Sequence, residues 1–189
     1  KAQGPDVAKE LLPWKHFAIE SLAKFQIPFW NPYNFSGNPL MANFQSGVFY
    51  PGNIIFLIFN FEFAWSIYIV LIPILASVFT YLFLKRLRIS SPSAVLGGIT
   101  YAFSLYMIVW IEYGNIGHTL LWLPLILYLS DKLLEKISYK IFSFFVLISF
   151  ASILAGYIQG VFYIYSISLF YLLLKGYMEK KLSFSKVLV

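Results

Sequence analysis

The chain has 189 residues, of which 60% are hydrophobic and 12% charged, with a formal net charge of +6 and no cysteine. Soluble domains carry about 25% charged residues, so this chain is too poor in charge to coat a soluble surface, and lipid is the expected solvent for much of it. The missing cysteines exclude disulfides, a thiol nucleophile and a Cys-ligated metal, and the positive charge lies in short loops between apolar runs, which points to membrane orientation and not to nucleic acid.

Residues 1–60 read as a first loop outside the membrane, punctuated by Pro5, Pro13, Pro28, Pro32, Pro39, Gly37 and Gly47. Within it Leu11, Trp14, Ala18, Leu22 and Phe25 recur at helical spacing, with Lys15, Glu20 and Lys24 on other faces. This pattern predicts an amphipathic helix lying in the membrane interface. A helix packed on a small subdomain fits the same spacing. The apolar stretch 53–61 is too short to span and is expected to be half-inserted.

Residues 61–189 read as an all-α, multi-span bundle. Spans are expected at about 64–84, 92–111, 114–130, 141–155 and 160–174, with another starting at 182. As one helix, the uncharged run 141–174 would be about 51 Å long against a core of about 30 Å. It is therefore divided near Gly156, Gln159 and Gly160. Lys85, Arg86 and Arg88 lie in one loop, Lys132, Lys136 and Lys140 in another, and Lys175, Lys180 and Lys181 in a third. The loops around 112–118 and 155–160 hold no Lys or Arg, so the positive-inside rule puts the basic loops in the cytoplasm and residues 1–60 outside. The chain starts at Lys1 and shows no signal peptide, and it is expected to be an excerpt cut at both ends.

Four polar features fall on the outer side. Asp6 is placed to take a proton from an acceptor hydroxyl or to hold a divalent cation (Mg or Mn) against a phosphate; a helix N-cap is the plainer role. Lys15 and His16 suit an anionic headgroup, or are solvated helix residues. Trp30, Asn31, Asn34, Gln45 and Tyr50 set amides beside aromatic rings, which suits a sugar, and equally an aromatic belt at headgroup level. Glu112, His118 and Gln159 lie at the outer ends of predicted spans, where ionisable groups usually face a cavity. Asp6, Glu112 and His118 are the candidate metal ligands, and His118 could equally be a satisfied interfacial histidine.

The string IPFWNPYNFSGNPLMANFQSGVFYPGNIIF, over residues 27–56, closely resembles the first-loop signature of the YfhO-like bacterial and archaeal membrane proteins. Pro28, Trp30, Asn31, Pro32, Gly37, Pro39, Ala42, Gln45, Tyr50 and Pro51 meet that pattern. LGGITYAFS at 96–104 and AGYIQGVFYIYS at 155–166 also look like the family. The resemblance implies a glycosyltransferase of the GT-C class. Such an enzyme moves a sugar from a polyprenyl-phosphate donor to a lipid, glycan or protein acceptor on the non-cytoplasmic side, with inversion. It also implies a catalytic acidic residue early in the first outer loop, a place that Asp6 occupies. Two other classes remain open: a lipid or polysaccharide transporter or flippase, and a non-catalytic membrane assembly subunit. A one-sided cluster of polar groups without a clear repeat favours the enzyme over the transporter.

Overall fold

The computed structural model describes residues 6–34 and 36–179, and these are helical with no strand among them. The expected start of a span at 182, together with Lys180 and Lys181, lies outside the described residues.

The chain enters through a π-helical turn (Val7–Leu11) that runs directly into α1 (Leu12–Ala23). The wide turn has a local cause. Pro13 has no N–H to give residue 9, and its ring crowds that carbonyl, so the ladder loosens just before it. Val7, Leu11, Trp14 and Ala18 pack on Leu40 and Val48, while Ile19 packs with Tyr50, Phe56 and Ala64. The apolar face of α1 is thus closed by its own loop, which corrects the expectation that this face lies in the membrane interface. Phe25, counted on that face by spacing, is 98% exposed, because the helix has ended before it.

After three short 3-10 turns come α2 (Ile54–Ile58) and α3 (Phe61–Arg86). Asn60 caps α3 by accepting the N–H of Phe63 at 3.0 Å, and Lys85 and Arg86 complement its C-terminal carbonyls. α3 runs unbroken through Pro73. Ala64, Tyr68, Ile72, Ala76 and Thr80 form its buried stripe, while Val70, Ile74, Val78 and Leu82 stand exposed on another face.

The next two expected spans are each broken. Residues 92–111 divide into α4 (Ser91–Ala102) and α5 (Leu105–Val109), with Ser104 extended at ψ 151° between them. α4 lies tight on α3 because Gly98 has no Cβ; one would come within 2.7 Å of the Ser77 carbonyl oxygen. Residues 114–130 divide into α6 (Asn115–Leu120) and α7 (Leu123–Glu135). Pro124 dictates this break, since its ring would collide with the carbonyl four residues back, that of Leu120. That carbonyl, freed from the ladder, accepts the Tyr101 hydroxyl at 2.8 Å.

The apolar run that follows divides at Gly156, whose φ of 98° only glycine adopts without strain, into α8 (Tyr139–Leu154) and α9 (Ile158–Met178). Among the described residues two helices, α3 and α9, are long and apolar enough to cross a membrane, and only 22% of the apolar window of each is buried by the rest of the chain. The core helix of a soluble protein would be mostly covered, whereas these apolar faces are left open to a lipid or protein neighbour.

The C-terminal ends of α3, α7 and α9 meet around Asp131, whose side chain is 1% exposed. Arg86 from α3, with Lys175 and Tyr171 from α9, all donate to its carboxylate, and Arg86 also reaches Glu135. Burial works to raise the Asp131 pKa, but the hydrogen bonds from Lys175, Tyr171 and Arg86 outweigh it and hold the carboxyl below its usual range. Arg86 is eighteen residues beyond Tyr68 on α3, about 27 Å along the axis. The charged cluster and the polar groups near Tyr68 therefore occupy opposite ends of the bundle.

Candidate functional site

Two loop contacts shape the end of the bundle opposite Asp131. The loop carrying Gln45 lies on the α8–α9 turn, so close that a Cβ on Gly156 would come within 2.8 Å of the Phe44 carbonyl oxygen. Asn115, at the start of α6, spans both segments: its Nδ2 donates to the carbonyls of Gln45 and Gly156, each at 3.4 Å. This pairing carries Gln45 and Gln159 into one open cavity of about 470 Å³, which Asp6, Glu10, Asn115 and Tyr157 also line. Asp6 and Glu10 are one turn apart on the entering helix and so share a face. Asp6 itself is helical, exposed and makes no side-chain cap hydrogen bond. The plainer N-cap role is therefore not the one its carboxylate plays. Gln159 is held at both ends of its amide, accepting from the Tyr157 hydroxyl at 3.2 Å and donating to that of Tyr163 at 2.5 Å.

A second group is buried. Lys15 is only 6% exposed, and its Nζ donates to Asn53 Oδ1 at 2.9 Å. Asn53 in turn donates to the carbonyls of Gly47 and Val48, both at 2.8 Å. Burial pushes the Lys15 ammonium down to about 7. Beside it, His118 is 1% exposed, with Nε2 2.9 Å from the Tyr68 carbonyl and Nδ1 2.9 Å from the Tyr50 hydroxyl. A carbonyl only accepts, so Nε2 carries the proton and Nδ1 accepts from Tyr50. Burial raises the Tyr50 pKa, which keeps the hydroxyl protonated as this bond requires. The His118 ring also stacks on Tyr68 at a centroid distance of 3.7 Å.

A third set lies along another face of the entering helix. His16, Asn31 and Asn34 line a cavity of about 250 Å³ together with Lys9, Phe17, Glu20 and Tyr33. Trp30 does not line it. Trp30 is half exposed, with its ring over Gly37, where a Cβ would come within 2.5 Å of the indole nitrogen.

Of the residues picked from sequence, Asp6, Gln45 and Gln159 share the cleft; His16, Asn31 and Asn34 share the second cavity; Lys15, Tyr50 and His118 are buried and hydrogen-bonded inside the chain; Trp30 and Glu112 line neither cavity. Asp6, Glu112 and His118, the candidate metal ligands, do not share one cavity: His118 is sealed beneath Tyr50, and Glu112 sits partly buried on the 3-10 turn Ile111–Tyr113 without lining the cleft. Nor does Lys15 face a headgroup, being enclosed under Asn53. Among the described residues no cluster of three His, Asp or Glu side chains forms a metal site; Asp6 and Glu10 are the carboxylates that the cleft offers.

Sequence reading missed Glu10, Asn115 and Tyr157. Glu10 had a usable signal, the i, i+4 spacing from Asp6. Comparison with known proteins finds no matching family model, no matching curated protein and no matching solved structure.

Proposed function

We propose that the chain contributes the first outer loop and the following spans of a multi-pass membrane glycosyltransferase of the GT-C kind. In this reading a sugar passes from polyprenyl phosphate to a lipid, glycan or protein acceptor on the non-cytoplasmic side. The observation that carries it is the cleft: an uncapped carboxylate, Asp6, shares about 470 Å³ of open space with two amides from distant parts of the chain, Gln45 and Gln159.

The chemistry follows from these groups. Asp6 takes the proton of the acceptor hydroxyl as its oxygen bonds to the anomeric carbon. The bond from that carbon to the phosphate oxygen breaks, and its electron pair leaves with the polyprenyl phosphate. Gln45, Gln159 and the Tyr157 hydroxyl supply donors and acceptors for the sugar's hydroxyls. A divalent cation, Mg or Mn, would be held by Asp6 and Glu10 and would offset the phosphate charge. The orientation that puts this cleft outside rests on the basic loops at the Asp131 end.

The reading is tested by transfer from a polyprenyl-phosphate sugar in liposomes holding the full-length protein. Asp6→Asn is expected to stay folded and lose transfer, and near-normal turnover by that variant would overturn the assignment.

A further inference from the structure

The cavity on the His16 face is separate from the cleft, and nothing in the transfer chemistry uses it. Lys9, His16, Phe17 and Glu20 come to it from one stripe of the entering helix, and Asn31, Tyr33 and Asn34 from the loop that folds back over them. Asp6 and Glu10 line the cleft instead.

Its walls are of two kinds. One is aromatic: Tyr33 stands edge-on to Phe17, with ring centroids 5.6 Å apart, and is 82% exposed. The other is polar and held in place. Asn31 is 3% exposed, its backbone pairs with that of Asn38 at 2.8 and 2.9 Å, and its Oδ1 accepts the Tyr33 N–H at 3.0 Å. The Asn31 side chain lines the cavity, so its amide is held at the wall by the chain's own backbone. His16 and Glu20 face each other at 3.8 Å, both half exposed.

We propose that this cavity is a second carbohydrate-binding site, taking a sugar ring of an oligosaccharide. Lys9 and Glu20 balance in charge, which suits a neutral polyol better than an anion. The Tyr33 ring offers a face for the sugar's C–H groups. Asn31 and Asn34 donate to hydroxyls, and Glu20 accepts from them. At about 250 Å³ the cavity is smaller than the ~300–1,000 Å³ of drug-sized pockets, as a single ring requires. Identifying the oligosaccharide with the acceptor rests on the transferase reading; binding itself does not.

The test is saturation-transfer NMR on the full-length protein in nanodiscs, without sugar-headed detergents. The probes are trisaccharides of glucose, N-acetylglucosamine, galactose and mannose at millimolar concentration. At least one is expected to bind, with Tyr33→Ala and Asn34→Ala each weakening it about tenfold and Asp6→Asn leaving it unchanged. Tyr33 is exposed, so its truncation does not threaten the fold. Absence of binding by every trisaccharide, or binding that both variants leave intact, overturns the site. Full turnover by Asp6→Asn would overturn the transferase reading alone and leave the site's binding standing.

Discussion

Tyr50 donates its phenolic proton to Nδ1 of His118 across 2.9 Å, joining groups 68 residues apart inside the protein. The bond ties the first loop to α6 and, through the Tyr68 carbonyl, to α3. Tyr50→Phe leaves the histidine nitrogen buried and unsatisfied. The expected loss is about 1–3 kcal/mol of stability, read as a lower melting temperature in detergent, with transfer retained at low temperature. Unchanged melting with a hundredfold drop in transfer would return His118 to the reaction.

Glu10 separates the two roles available to Asp6. If the carboxylates hold a cation, Glu10→Gln raises the concentration of Mg or Mn needed for half-maximal transfer, and chelator stops the wild type. Glu10→Gln with unaltered metal dependence, alongside an inactive Asp6→Asn, assigns Asp6 to proton transfer alone, a loss of about 10²–10⁴ in rate.

Lys15 gives the fold a pH signature. Its pKa falls from an ordinary 10.5 to about 7 on folding. Above 10.5 the amine is neutral in both states and costs nothing. As pH falls toward 7, the unfolded chain gains a proton that the folded chain does not, so stability declines at up to about 1.4 kcal/mol per unit. Below 7 the full cost is in place. Melting temperature should therefore rise between pH 7 and 9 in the wild type and rise less in Lys15→Met. Equal slopes would show that Lys15 is ionised in the fold.

Asp131→Ala leaves Arg86 and Lys175 facing each other without their shared carboxylate. Both cations are about a quarter exposed, so water screens part of the penalty and the lower end of the usual 3–5 kcal/mol, about 3, is expected. Chemical denaturation of the reconstituted protein measures it; a change below about 0.5 kcal/mol would mean that the cluster does not hold the three helices.

The absence of native cysteine makes orientation directly accessible. Single cysteines replacing Ser36 and Arg88 should react with an impermeant maleimide from opposite sides, Ser36 from outside. Labelling of Arg88→Cys from outside, with Ser36→Cys protected, reverses the proposed topology.

The ends of α3 were legible because charges mark them, and the turn at Gly156 because a long uncharged run needs a break that glycine permits. The division at 103–104 carried no such mark. That at 121–122 did, in Pro124, but an uncharged run reads as continuous when only hydropathy is followed. Burial of Lys15 and His118 was not legible. Each depends on a partner far along the chain, Asn53 for one and Tyr50 for the other, and no local periodicity encodes such pairing. The cleft was half legible: Asp6, Gln45 and Gln159 stood out individually, but Asn115, which brings two of their segments together, looked like an ordinary loop residue.

The break at Pro124 also bears on how the chain is built. α4, with twelve residues, is about 18 Å long, and α6 is half that size. A newly made segment of such length has too few turns to leave the insertion machinery alone and settle in hydrocarbon with its backbone satisfied. The Leu120 carbonyl has its acceptor role filled only once Tyr101 stands beside it. In the proposed membrane reading α4 is thus expected to wait, still sheltered against the already made α3, until α6 follows to pair with it, so that insertion here proceeds by pairs of segments and not one helix at a time.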